Sequence, residues 1–81
     1  MNRYLISLEA RTPGDMDPEI RADLFARTRE MLDDEYAQDF HRVVGKQAVV
    51  GIVEMELPHE FIAGLPLFPW LEVSVVALAR R

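Results

Sequence analysis

Four side chains in this chain of 81 residues could together move and steady a proton: His59, Arg42, Glu9 and Glu54. A proton shift needs one group that takes and returns the proton, and a cation or donor that holds the developing oxyanion. Histidine is the side-chain type whose ordinary proton exchange falls near neutral pH, and His59 opens a predicted helix, "PHEFIAG", at the end where the dipole opposes positive charge. Arg42 offers a planar fork for a carboxylate or enolate oxygen. Glu9 and Glu54 become bases where burial disfavours their charged form. Each also has a structural alternative. His59 could decorate a helix start, Arg42 could pair across strands with Glu9 or Glu54, and the glutamates could form interface ion pairs. His41 alternates with Arg42 and points to the opposite face, so it ranks below His59. Tyr4, Tyr36, the methionines and Trp70 are assigned to packing.

The elements that must position these groups are legible from periodicity. "RYLISLEA" alternates, with Tyr4, Ile6 and Leu8 on one side, and reads as a strand. "RTPGD" is a turn. Asp17 is a predicted N-cap, with Pro18 in the first helical position and Glu19 at the positive end of the dipole. Ile20, Leu24, Thr28, Met31 and Leu32 recur at helical spacing, while Arg21, Asp23, Arg27 and Glu30 are expected in water. Asp23 and Arg27 form a supporting i,i+4 pair. The helix is expected to end near Asp33 or Asp34. A hairpin follows, with one strand ending at Val44, a turn at "GK" and a second strand through Val49, Val53 and Met55. After the Pro58-led helix and Gly64, "LEVSVVALA" is the last strand.

The order β-α-β-β-α-β predicts an α+β, ferredoxin-like fold, one domain over residues 1–81. Right-handed crossovers put both helices on one face of a four-stranded antiparallel sheet. The open face is expected to carry Leu5, Ser7 and Glu9, then Phe40, Arg42 and Val44. Ala48, Val50, Ile52 and Glu54 follow, then Glu72, Ser74 and Val76. That face is too apolar for water and too polar for a dry core. A second chain over it would leave a pocket lined by the charges, with Ser7 and Glu72 among the substrate-binding residues.

Composition excludes several classes. A net charge of -5 opposes nucleic-acid binding, which needs clustered basic surface. There is no cysteine and there are only two histidines, so neither a disulfide nor an ordinary structural zinc site is expected. "MNRYLISLEA" is too short an apolar run for a signal peptide, and no stretch has the length of a membrane span. A cytoplasmic protein is expected, with a partner chain stabilising so small a core.

"GLPLFPW", Gly64 to Trp70, places two prolines around Leu67 and Phe68. Prolines cannot donate, so the segment is expected to stay extended. Leu67 and Phe68 would then project into a pocket wall or a neighbouring chain; otherwise, with Leu65, they cap the domain's own core. The run "HEFIAGLPLFPWLEVSVVALAR" resembles the muconolactone isomerase family, whose chains carry "LPLFP" followed by an aromatic residue. "HRVVGK" and "RYLISLEARTPGDM" are similar to the family's second strand end and first strand. The resemblance implies a homo-oligomer built from dimers, with a pocket for a small organic acid or lactone. It also implies a cofactor-free proton shift that moves a double bond, a step in the breakdown of aromatic compounds. Arg42, His59 and Arg80 carry over as polar site positions, whereas the family's tryptophan before the arginine is His41 here and its last-strand lysine is Glu72. Two other readings stay open: a non-catalytic ligand-binding or assembly module, and a dimeric-barrel enzyme acting on an aromatic or polyketide-like substrate.

Overall fold

In the computed structural model, which describes residues 2–79, strand β1 (Asn2–Ala10) runs through the middle of the sheet. Helix α1 (Pro18–Tyr36), the short edge strand β2 (Phe40–Arg42) and strand β3 (Ala48–Met55) follow. Helix α2 (Pro58–Ala63), a 3-10 turn at Phe68–Trp70 and strand β4 (Leu71–Leu78) complete the order. The sheet order is β2-β3-β1-β4, with every neighbouring pair antiparallel. This is the expected α+β, ferredoxin-like arrangement. No helix among the described residues is long and apolar enough to cross a membrane.

Alternation decides which face is covered. Ile6 and Leu8 of β1 and Val53 and Met55 of β3 are buried on one side, together with Leu32 of α1, Ile62 of α2 and Leu65. Both helices therefore pack on that face. The other face is bare: Ile52 is 49% exposed and Val76 47%.

The α1 start is as its residues dictate. The Asp17 carboxylate accepts from the Glu19 N–H at 2.8 Å, and Pro18 occupies the first position, where no donor is missed. Asp23 and Arg27 pair at 3.6 Å. The buried stripe is narrower than expected, since Thr28 and Leu32 are buried but Ile20 and Met31 are exposed. Arg21, expected in water, is half-buried with its Nε unpartnered. The helix also outlasts the expected stop at Asp33 or Asp34. Tyr36 holds its last turn, packing edge-on against Phe61 at 5.1 Å and Phe40 at 6.4 Å. Each aromatic pair of this kind is worth about 0.5–1.5 kcal/mol beyond buried area, so the two together offset a cost of about 0.3–1 kcal/mol for each acidic residue at the wrong end of the dipole.

Strand β2 corrects the expected face assignment. Phe40 lies opposite Gly51 and Arg42 opposite Val49, while His41 lies opposite Val50. Residues directly opposite in an antiparallel ladder share a face, so Phe40 and Arg42 sit on the helix side and His41 on the open side. Val44 belongs to neither, because β2 stops at Arg42 and Val44 is 97% exposed at the hairpin tip. There the Lys46 N–H donates to the Val43 carbonyl across a turn in which Gly45 takes φ +84, the conformation that glycine tolerates without strain.

Gly51 allows this hairpin to close. A Cβ there would overlap the Asp39 carbonyl oxygen and crowd the Phe40 backbone.

The "GLPLFPW" connector is turned, not extended. Gly64, Leu65, Phe68 and Trp70 N–H groups all donate to carbonyls three or four residues back. The prolines remove two donors but leave enough for consecutive tight turns. The remaining donor, the Leu67 N–H, is buried and goes to the Thr28 hydroxyl oxygen at 3.1 Å. Leu65 and Leu67 are consequently core residues, whereas Phe68 is 42% exposed.

Two stability outcomes follow from this packing. Thr28→Val, isosteric but unable to accept, should cost about 1–3 kcal/mol by stranding a buried N–H, while Thr28→Ser should cost less; urea denaturation measures both. Gly51→Ala should cost about 1–3 kcal/mol, because backbone must move to admit the methyl group, and its denaturation midpoint should fall accordingly.

Candidate functional site

A cleft of about 520 Å³ opens on the helix side, between α1 and the β2–β3 hairpin. One wall is a stripe of α1 at i, i+3, i+4, i+7 and i+8, namely Phe25, Thr28, Arg29, Leu32 and Asp33. The hairpin supplies Phe40, Arg42, Lys46 and Val49, and the floor is closed by Leu8, Leu67 and Leu71. The apolar groups lie deep and the charged ones stand at the rim: Leu8, Leu32 and Leu67 are buried, while Arg29, Arg42 and Lys46 are exposed. Three of the nine basic residues of a chain with net charge -5 thus converge on one opening. They come from three different pieces of backbone, and Asp33 is the single carboxylate among the lining residues. Such a rim suits an anionic oxygen above an apolar body.

The bare face holds a second hollow, of about 460 Å³, lined by Ser7, Glu9, Lys46, Val50, Glu72 and Ser74, among others. Glu9 and Glu72 are direct cross-strand partners, a like-charge pair that costs stability unless a cation intervenes. Arg11 is that cation. Its Nε lies 2.9 Å from Glu72 and its other end 3.8 Å from Glu9, and its backbone N–H is tied to the Trp70 carbonyl at 2.8 Å.

The structure divides the residues singled out from sequence into separate places. Arg42 and Leu67 line the helix-side cleft. Ser7, Glu9 and Glu72 line the hollow on the bare face, and Glu54 is exposed on that face opposite Arg3. His59 is exposed in the first turn of α2, beyond the far end of β3. Val49 to Met55 alone spans about 20 Å of strand, so one chain does not bring His59 to Arg42. Phe68 lines neither hollow, and Arg80 lies outside the described residues. Tyr36, expected to pack, does so against Phe40 and Phe61. Burial first, then the charge of and hydrogen bond to Glu35 and the charge of Asp39, raise its phenol above the usual value.

Arg29, Lys46 and Asp33 were not among the residues that sequence singled out. A signal existed for two of them. Phe25, Arg29 and Asp33 stand four residues apart, along the edge of the stripe that buries Thr28 and Leu32. Lys46 had no comparable signal, since its position follows from how the turn at Gly45 folds back.

Comparison with known proteins adds to this geometry. The family model described as muconolactone delta-isomerase matches residues 2–81. The muconolactone delta-isomerase of Cupriavidus pinatubonensis is 32% identical, over 96% of this chain and 92% of its own. Muconolactone delta-isomerase 2 of Acinetobacter lwoffii is 28% identical, over 96% and 88%. A crystal structure of muconolactone isomerase at 3.3 Å resolution superposes with a TM-score of 0.85 at 24% identity, covering 98% of this chain and 90% of that one, which establishes the shared fold. With its fold and nearly its whole length matched, this chain belongs to the muconolactone delta-isomerase family.

Proposed function

We propose that this chain is a muconolactone isomerase-like enzyme that moves a double bond within an unsaturated lactone acid, with the helix-side cleft as its active site. The observation that carries this reading is the ring of Arg29, Arg42 and Lys46 above an apolar floor. An unsaturated lactone acid has that chemistry: a compact apolar ring, a carbonyl oxygen that gains charge when a ring proton conjugated with it leaves, and a carboxylate. Arg42 has the geometry to grip the carboxylate bidentately, while Arg29 and Lys46 stabilise the enolate oxygen. The shift relocates one proton and one double bond, so it is redox-neutral and calls for no cofactor. Family membership over nearly the whole chain favours this isomerase over a non-catalytic binding module of the same fold. The reading includes a single domain, a cytoplasmic setting and a role in breaking down aromatic compounds.

Self-association is part of the same proposal. Leu5, Val50, Ile52 and Val76 lie on a sheet face that no element among the described residues covers, and a sheet with an apolar face needs a second layer. A second copy of the chain, laid face to face, is the proposed layer.

The purified protein should convert muconolactone to its double-bond isomer, followed by ultraviolet absorbance; complete inertness towards this and related lactones would remove the isomerase reading. Arg42→Ala should weaken binding of a non-reactive carboxylate analogue by about 1.5–3 kcal/mol in titration calorimetry. His59→Gln, altering a residue remote from the cleft, should leave turnover unchanged, and a loss of turnover there would return His59 to the catalytic role expected from sequence. Light scattering should give a mass above that of the single chain throughout a micromolar dilution series, and Ile52→Glu should lower it.

A further inference from the structure

We propose that Asp33 is the group that carries the proton in the cleft. This rests on the isomerase reading and names the residue that reading lacks, since Arg29, Arg42 and Lys46 can steady charge but cannot accept a proton. Among the residues lining the cleft, Asp33 is the one carboxylate, the side-chain type there that can take and return a proton. Gln47 does not titrate, and the Thr28 hydroxyl is engaged by the Leu67 N–H. His59, Glu9, Glu54 and Glu72 line other surfaces or none.

Position supports the assignment. Asp33 follows Arg29 by one helical turn on the same edge of α1, so a proton acceptor and an oxyanion-holding cation stand side by side on one wall of the cleft. Among the described residues no ion pair neutralises Asp33; the three that form involve Glu9, Glu72 and Asp23. Helix support does not account for it either. A carboxylate this near the C-terminal end of α1 opposes the helix dipole.

The step balances without a further reactant. The C–H bond at the ring carbon on the far side of the conjugated double bond breaks, its electron pair enters the conjugated system, and the carbonyl oxygen becomes an enolate held by the rim cations. An O–H bond forms on Asp33. That bond then breaks, its proton forms a new C–H bond at the carbon beside the lactone carbonyl, and the double bond is left in its shifted place with the carboxylate regenerated.

The test compares wild type, Asp33→Asn, Asp33→Glu and Asp34→Asn, with muconolactone as substrate. Asp33→Asn should lower kcat by roughly a hundredfold or more while KM changes by less than about threefold. Asp33→Glu should restore part of the rate, and Asp34→Asn, altering the adjacent carboxylate outside the cleft lining, should turn over as wild type does. Circular dichroism and the denaturation midpoint of Asp33→Asn should match wild type or exceed it, because the change relieves a charge at the wrong helix end. Should Asp33→Asn not fold, Asp33→Ser gives the same comparison. Wild-type kcat in the folded variant, or a loss confined to KM, overturns the role of Asp33 and leaves the isomerase reading intact. An inert wild type removes both.

Discussion

The buried hydrogen bond from the Leu67 N–H to the Thr28 hydroxyl joins two parts of the chain 39 residues apart. Much of the molecule depends on it. Pro66 and Pro69 have no N–H, and the connector's other internal donors are spent on its own turns. The Leu67 N–H is the donor left facing α1, in a place water does not reach. Thr28 meets it with the only buried polar side chain among the described residues. The bond fixes the connector against the helix, drives Leu65 and Leu67 into the core, and makes Leu67 a wall of the cleft. A valine in place of Thr28 would fill the same space, yet only a hydroxyl also satisfies the backbone.

The two faces of the sheet deal with charge differently. On the bare face, Glu9 and Glu72 are forced together by strand register and made tolerable by Arg11 reaching back from beyond β1. One cation shared between two carboxylates relieves their repulsion, is itself fully spent, and leaves the trio with one net negative charge. On the helix side, none of Arg29, Arg42 and Lys46 is paired among the described residues. They leave a local positive field in a chain that is acidic overall. A net charge of -5 opposes an approaching anion at long range, and three unpaired cations at the cleft rim favour one there. Sign contrast of that kind is a stronger guide to a ligand than the count of charges.

The sequence disclosed those features that depend on short-range chemistry. Asp17-Pro18-Glu19 announces a helix start, the alternation in β1 and β3 gives their buried faces, and the element order gives the topology. It was misleading where one long-range fact reset a local expectation. Phe40 and Arg42 change sides because the ladder sets Phe40 opposite Gly51, and counting alternation along one strand cannot supply that phase without its partner. The proline-bracketed connector folds into turns because Thr28 and the core reward compactness, which the backbone restrictions of proline alone do not reveal. The site was half legible for the same reason. Arg42 stood out by residue type, but which residues share its cleft depended on a face assignment that only the hairpin register fixes.

Arg42 sits at the end of the three-residue edge strand β2, the least secured kind of element in a sheet. What steadies it is indirect. Phe40, two residues earlier on the same face, is clamped edge-on by Tyr36, which is itself packed on Phe61 of α2. The bare Cα of Gly51 lets the Asp39 backbone close down beside it. The aromatic chain therefore runs from α2 through α1 to the edge strand that presents the arginine. On the other wall, Arg29 and Asp33 ride on α1, the helix that Tyr36 and Thr28 hold in place from either side of them. In a chain so small that one core must serve every purpose, the contacts that keep it folded also set the distance between the cleft's walls. A substitution among Tyr36, Phe40 and Phe61 would thus disturb the cleft before it unfolded the protein, because the edge strand is the part with least else to hold it.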